Sequence, residues 1–202
     1  MSRLGPWLGA VLVAVLALGA APAAAAPGEA GIPLLRIFNA AGHVSSSQNW
    51  AIVQDRRGVM YFGSTDDGVL EFDGVSWRTI PTPHRTTIRS LALGADGRIY
   101  VGGIGEIGYL APDAAGRMSY VSLLDRVPEA DREFADVWST LATAQGVYFT
   151  TFKKLIRIGA PGPAQVWRAG TSFHIAHMAR ERLYVREVGR GLMQLVDDQL
   201  QP

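Results

Sequence analysis

An all-β fold built from a repeated unit is the class this sequence predicts, and three observations carry the expectation. The segments "VMYFGS" (59–64), "RIYVGG" (98–103), "GVYFTT" (146–151) and "RLYVRE" (182–187) match one another, each with a Tyr followed by Phe or Val. Their tyrosines, Tyr61, Tyr100, Tyr148 and Tyr184, are spaced 39, 48 and 36 residues apart. The composition suits strands and turns: most of the 23 Gly follow residue 50 in short clusters, beside five Trp and six Tyr. Helical periodicity is absent between the strand-like runs, except over 125–136. A β-rich unit of about forty residues is the signature of a β-propeller, whose four-stranded antiparallel blades stack about an axis.

The first repeat (49–87) shows each element. "WAIVQD" (50–55) is an apolar strand, "DRRG" (55–58) a turn, and "VMYFGS" the second strand. "VLEFD" (69–73) alternates as a third strand, Asp73-Gly74 is a hairpin signal, and "VSWRTI" (75–80) is the fourth, ended by Pro81 and Pro83. The second repeat (88–136) reads "RSLALG", "IYVGG", "GYLAP" and "MSYVSLL", then an acidic insertion, "DRVPEADREFAD" (125–136), expected as a loop or short helix. The third (137–172) reads "VWSTLAT", "VYFTTF", "KLIRIG" and "AQVWRA". The fourth (173–202) reads "FHIAHMA", "LYVREV" and "GLMQLVDD", and its last strand is expected to be cut short. A β-sandwich would not repeat a motif at this period.

About three and a half to four blades are therefore expected. An open arc leaves apolar blade faces and strand edges uncovered. The chain is accordingly expected to be the amino-terminal part of a longer product, with a four-bladed ring as the alternative.

Residues 1–25 read as a secretory signal peptide. Arg3 supplies the positive start, Trp7–Leu18 is apolar, and Ala20–Ala26 offers small-residue cleavage sites, with cleavage expected after Ala25. The apolar run is short of the ~20 residues a membrane helix needs. Residues 26–48 form a lead-in segment, and 49–202 the partial propeller. The mature chain is expected in the periplasm.

Charge excludes one class of partner. The chain has 19 Lys+Arg against 18 Asp+Glu, and Arg3 is the only charge in the first 26 residues, so the body is neutral and lacks a basic nucleic-acid footprint. With no Cys there are no disulfides, thiolate metal sites or Cys nucleophiles.

The run "NWAIVQDRRGVMYFGSTDDGVLEFDGVSWRTI" (49–80), with its Asp-x-x-Gly turn, aromatic strand ending in Gly and "DGVLEFDG", resembles the two-component regulator propeller repeat. "GIPLLRIFNAAGHVSSSQNW" (31–50) resembles the segment leading into such domains. The resemblance is specific over 31–110 and weakens later, where Asp55-x-x-Gly58 has no clean counterpart at 143–146. It implies a periplasmic sensor propeller, followed by an immunoglobulin-like module, a membrane helix and a cytoplasmic kinase, cyclase or DNA-binding output. A homodimeric full-length receptor is expected, attached to the membrane only through a downstream segment.

Several motifs have ordinary explanations. Gly103-Ile104-Gly105-Glu106-Ile107-Gly108 matches G-x-G-x-x-G, but the following "YLAPDAAGRMSYV" is β-type, so no nucleotide cofactor is expected. Asp66, Asp67 and Asp73 suit turns better than a Ca²⁺ loop. His174 and His177, three apart on one strand, point to opposite faces and do not form a metal site.

One constellation carries a ligand expectation. Aligned on the first turn, Trp50, Arg89, Trp138 and His174 occupy the same position, at the start of each innermost strand and the mouth of the central channel. Ala51, Ser90 and Ser139 follow the first three. Aromatic and cationic groups there suit a glycan or another small-molecule ligand, by stacking or by anion recognition; blade-to-blade packing is the alternative.

A sensor is thus the leading functional expectation, without catalytic residues in this chain. A protein-interaction propeller is the second reading. A secreted glycosidase or lyase, using Glu106, Asp136 or Glu187, is the third.

Overall fold

The computed structural model describes residues 48–66, 68–159 and 162–202, all within the unit 39–202. The expected signal peptide and nearly all of the lead-in segment lie outside the described residues.

Among the described residues, sixteen strands form four antiparallel sheets, each in simple up-and-down order. The first contains β1 (Asn49–Gln54), β2 (Met60–Ser64), β3 (Val69–Phe72) and β4 (Trp77–Ile80). The second contains β5 (Ile88–Leu93), β6 (Ile99–Gly103), β7 (Ile107–Pro112) and β8 (Met118–Ser122). The third contains β9 (Ser139–Thr143), β10 (Gly146–Thr150), β11 (Lys154–Ile158) and β12 (Gln165–Arg168). The fourth contains β13 (Phe173–Ala179), β14 (Arg182–Glu187), β15 (Gly191–Val196) and β16 (Gln199–Gln201). The four repeating tyrosines all fall on second strands, opposite Val53, Ala92, Leu141 and His177.

Two sequence expectations take structural form. The last strand of the fourth sheet is short: "GLMQLVDD" is β15 plus a turn, and "QLQ" returns against it as the three-residue β16. The reversal works because Asp197 and Asp198 both adopt left-handed backbone, φ 45° and 61°, the geometry of a tight hairpin turn. The missing Asp at 143 also has a substitute. Thr143 Oγ1 accepts from Gln145 N at 3.2 Å, as Asp55 Oδ1 accepts from Arg57 N at 2.8 Å.

The first strands lie innermost. β1 packs on β5, β5 on β9 and β9 on β13, and no comparable contact joins β13 back to β1 among the described residues. The four sheets therefore form an arc. Small residues permit the close approach. Ser90 Oγ donates to Val137 O at 2.8 Å and lies 2.8 Å from Thr140 Oγ1, while Ser139 Oγ accepts from Ala176 N at 3.2 Å. A Cβ on Gly102 would sit 2.6 Å from both Ser90 Oγ and Val137 Cγ1, so no larger residue fits there unless its neighbours shift.

The hydrophobic core lies between sheets. Tyr61, Val69 and Ile80 meet Ile88, Val101 and Leu110 at the first junction. Ile107 and Val137 meet Phe149 and Ile156 at the second, and Tyr148 and Leu155 meet Phe173, Val185 and Met193 at the third. Each fully buried side chain of this size contributes about 1.5–3 kcal/mol, so every sheet depends on its neighbour.

The insertion after β8 holds two single 3-10 turns, Leu124–Arg126 and Glu129–Asp131. It is tied to the third sheet: Arg126 donates to Gly159 O at 2.6 Å, and buried Asp131 accepts from Arg168 Nε at 3.0 Å and pairs with Lys154 at 3.4 Å.

Candidate functional site

β-Bulges at the start of the inner strands re-aim the residues there. The pairing of β1 passes from Asn49↔Ser64 to Ala51↔Gly63, leaving Trp50 as the extra residue. In β5 it passes from Ile88↔Gly103 to Ser90↔Gly102, leaving Arg89. A bulge kinks its strand and turns one side chain out of the alternation. Trp138 stands one residue before β9, its N–H bonded to Thr150 O at 2.8 Å.

Three of the four residues singled out in the sequence come together. The guanidinium carbon of Arg89 lies 3.9 Å from the centroid of the Trp50 ring and 5.0 Å from that of Trp138. The two indoles meet edge to face, with centroids 6.2 Å apart and planes at 79°. Stacking of this kind contributes roughly 0.5–2 kcal/mol per cation–ring pair. Trp50 Nε1 donates to Thr65 Oγ1 at 3.1 Å, which orients its ring.

His174 does not join them. It is exposed and makes no hydrogen bond, ion pair or ring contact among the described residues. The bulge in β13 sets both His174 and Ile175 between the pairs Phe173↔Glu187 and Ala176↔Val185. The further aromatic neighbour of Trp138 is Phe152, 5.5 Å away, whose carbonyl accepts from Phe173 N at 2.8 Å.

Two participants were not legible as such. Asp136, at the end of the insertion, accepts from Arg89 Nε at 2.6 Å. A backbone bridge between Ile104 and Asp136, with Gly105 N donating to Ala135 O at 3.1 Å, holds it in place. Phe152, in the turn after β10, is 44% exposed, and Trp50 is 39% exposed. These two rings give the cluster its solvent-facing apolar surface. Arg89 and Asp136 are largely withdrawn from water, with side chains 16% and 20% exposed.

The site is under-satisfied in hydrogen bonds. Arg89 Nη1 and Trp138 Nε1 are buried without a partner among the described residues, as is Thr150 Oγ1 beside Trp138. Buried donors are almost always paired in folded proteins, so neighbouring orphans mark a place where an acceptor belongs.

The other carboxylates hold structure. Glu187 accepts from Gly170 N at 2.7 Å and Thr171 N at 3.2 Å and pairs with Arg190 at 3.0 Å. Glu106 accepts from Tyr120 Oη at 3.1 Å, with His84 Nε2 3.7 Å away. Burial pushes the Glu106 carboxyl up, against the opposing pull of Tyr120 and His84. The glycine-rich run 103–108 spans the end of β6, the turn at 104–106 and the start of β7, and so leads into a strand, not a helix. Asp73 caps its hairpin, accepting from Val75 N and Ser76 N.

Clefts of about 510, 430 and 320 Å³ open at the other end of the inner strands. One recurs at each junction, lined by the turns after β1, β5 and β9, so they follow from how neighbouring blades splay apart.

No family model and no characterised relative matches the sequence. Solved structures do match. The extracellular domain of a putative hybrid two component system from B. thetaiotaomicron superposes with a TM-score of 0.63 at 16% identity, over 82% of this chain and 26% of that one. The fold is a β-propeller. A streptogramin B lyase matches this propeller with a TM-score of 0.57 at 14% identity, over 76% of this chain and 53% of that one. A virginiamycin B lyase from Staphylococcus aureus gives 0.55 at 15% identity, over 76% and 54%. The chain thus spans about half the length of the lyases and about a quarter of that extracellular domain. At these identities the likeness is one of fold.

Proposed function

We propose that this chain is the ligand-sensing propeller of an extracytoplasmic receptor domain, acting in the periplasm as part of a longer, membrane-attached, homodimeric protein. The observation that carries the reading is the convergence of Trp50, Arg89 and Trp138 at one mouth of the inner strands. The cluster combines exposed aromatic surface, a fixed cation and unpaired donors, the mixture typical of a small-molecule or glycan site. The sensor-like repeat pattern of the first two blades supports it, as does the likeness in fold to the extracellular domain of a two-component system.

The lyases of similar fold favour a second reading, a propeller enzyme. Against it, the acids singled out in the sequence are already engaged. Asp136 neutralises Arg89, Glu106 is bonded by Tyr120, and Glu187 holds two backbone N–H groups and Arg190. A general acid or base needs a free proton-transfer position in reach of substrate.

The test is ligand binding by the purified protein, read by indole fluorescence across a panel of saccharides and small metabolites. Trp50→Ala and Arg89→Ala should each weaken binding at least tenfold while the far-ultraviolet spectrum stays unchanged. Unchanged affinity in both folded variants would remove the cluster from ligand recognition.

A further inference from the structure

We infer that the Trp50–Arg89–Trp138 cluster takes an uncharged ligand bearing a carbonyl or hydroxyl oxygen, and that Asp136 is the residue that excludes anions. The inference rests on the proposed ligand role of the cluster and specifies its chemistry.

An exposed arginine beside two tryptophans would ordinarily be read as an anion site. Here the charge is already spent internally. Asp136 Oδ1 sits 2.6 Å from Arg89 Nε, and both side chains are about four-fifths withdrawn from water. The pair is neutral as a unit. A ligand carboxylate would add a second negative charge beside Asp136, where solvent screens it poorly. It would either bear that repulsion or displace Asp136, which the Ile104 bridge holds by its backbone.

What the cluster lacks is an acceptor, not a charge. Arg89 Nη1 and Trp138 Nε1 are donors without partners. A neutral carbonyl or hydroxyl oxygen can accept from either donor at no electrostatic cost. Both donors are covered, so the ligand must displace part of the wall. The exposed rings of Trp50 and Phe152 are the parts of that wall that face solvent and can stack on its apolar face.

Matched probes isolate the charge. Benzamide and benzoate share one shape, and glucose and glucuronate share one ring. Each is titrated into the wild-type chain and into Asp136→Asn, with indole fluorescence as readout and near-ultraviolet circular dichroism as the control for folding. The wild type should bind the neutral member of a pair at least tenfold more tightly. Asp136→Asn keeps an acceptor for Arg89 but removes the compensating negative charge, and it should bind the carboxylate at least tenfold more tightly than wild type does. A wild type that prefers benzoate or glucuronate overturns the inference and leaves the ligand site standing. A folded Asp136→Asn with no gain for the carboxylate overturns the role of Asp136. If no probe binds either protein, the ligand role of the cluster fails, and the inference with it.

Discussion

Arg89 Nε is bonded to Asp136 Oδ1 at 2.6 Å across 47 residues of chain. The arginine leaves a bulge in the inner strand of the second blade. The aspartate arrives on the insertion that joins that blade to the third. The pair therefore ties a mouth residue to a connecting segment. The insertion is in turn anchored on the third blade through Asp131, Lys154 and Arg168.

Removal of Asp136 should expose the cost of an unpaired cation. A hydrogen bond to a charged group contributes about 1.5–3 kcal/mol, and Asp136→Ala should lower the urea-unfolding free energy by that order. Arg89→Ala alone should cost a similar amount, and the double variant less than the sum. Strict additivity in that cycle would mean the pair does not couple.

The aromatic wall should contribute to stability as well as to the proposed recognition. Trp50→Ala deletes one cation–ring contact on a partly exposed ring and should cost about 0.5–2 kcal/mol. Trp138→Ala, on a less exposed ring that also touches Phe152, should cost more. Thermal melts of the two variants rank them, and the reverse order would contradict the burial seen here.

Gly102 should tolerate no side chain. A Cβ there would lie 2.6–2.7 Å from Ser90 Oγ, Val137 Cγ1 and Thr140 Oγ1, where the second and third blades meet. Gly102→Ala should destabilise by about 1–3 kcal/mol through overpacking. Gly74→Ala is the contrast. It has open space around it, so its cost comes only from its φ of 101°. Equal spectral perturbation at the blade junction in both variants would argue against close inter-blade approach.

Glu106 should make stability depend on pH in a defined direction. Burial raises its carboxyl above the unfolded value of about 4.3. A raised folded value means its contribution is fully present below the unfolded pKa and is lost as pH rises through the folded one. Glu106→Gln keeps the acceptor for Tyr120 and removes the ionisation. The variant should therefore gain on the wild type as pH rises from 4 towards 7. A gap that stays constant over this range, in denaturant titrations at several pH values, would show that folding leaves the Glu106 carboxyl unshifted.

Much of the mouth was readable and part was not. Trp50, Arg89 and Trp138 stand out because each begins the first strand of a repeat, and a repeat converts equal sequence position into equal spatial position. His174 shares that position and a bulge yet stays apart, because where a bulge aims its side chain is not written in a pattern of residue types. Phe152 reads as the end of a strand, and only the turn after β10 shows that its ring faces Trp138. Asp136 looks like one more acid in a polar insertion.

The residues alone determined the strands, their grouping in fours and their period, because alternation, turn chemistry and repetition are local properties of the chain. Even the departures, Thr143 in place of Asp and the Asp197-Asp198 turn, follow local rules. Tertiary structure alone decided which charges meet. An insertion of no regular pattern carries Asp136 back to Arg89. The pairing then leaves the arginine's charge compensated within the chain.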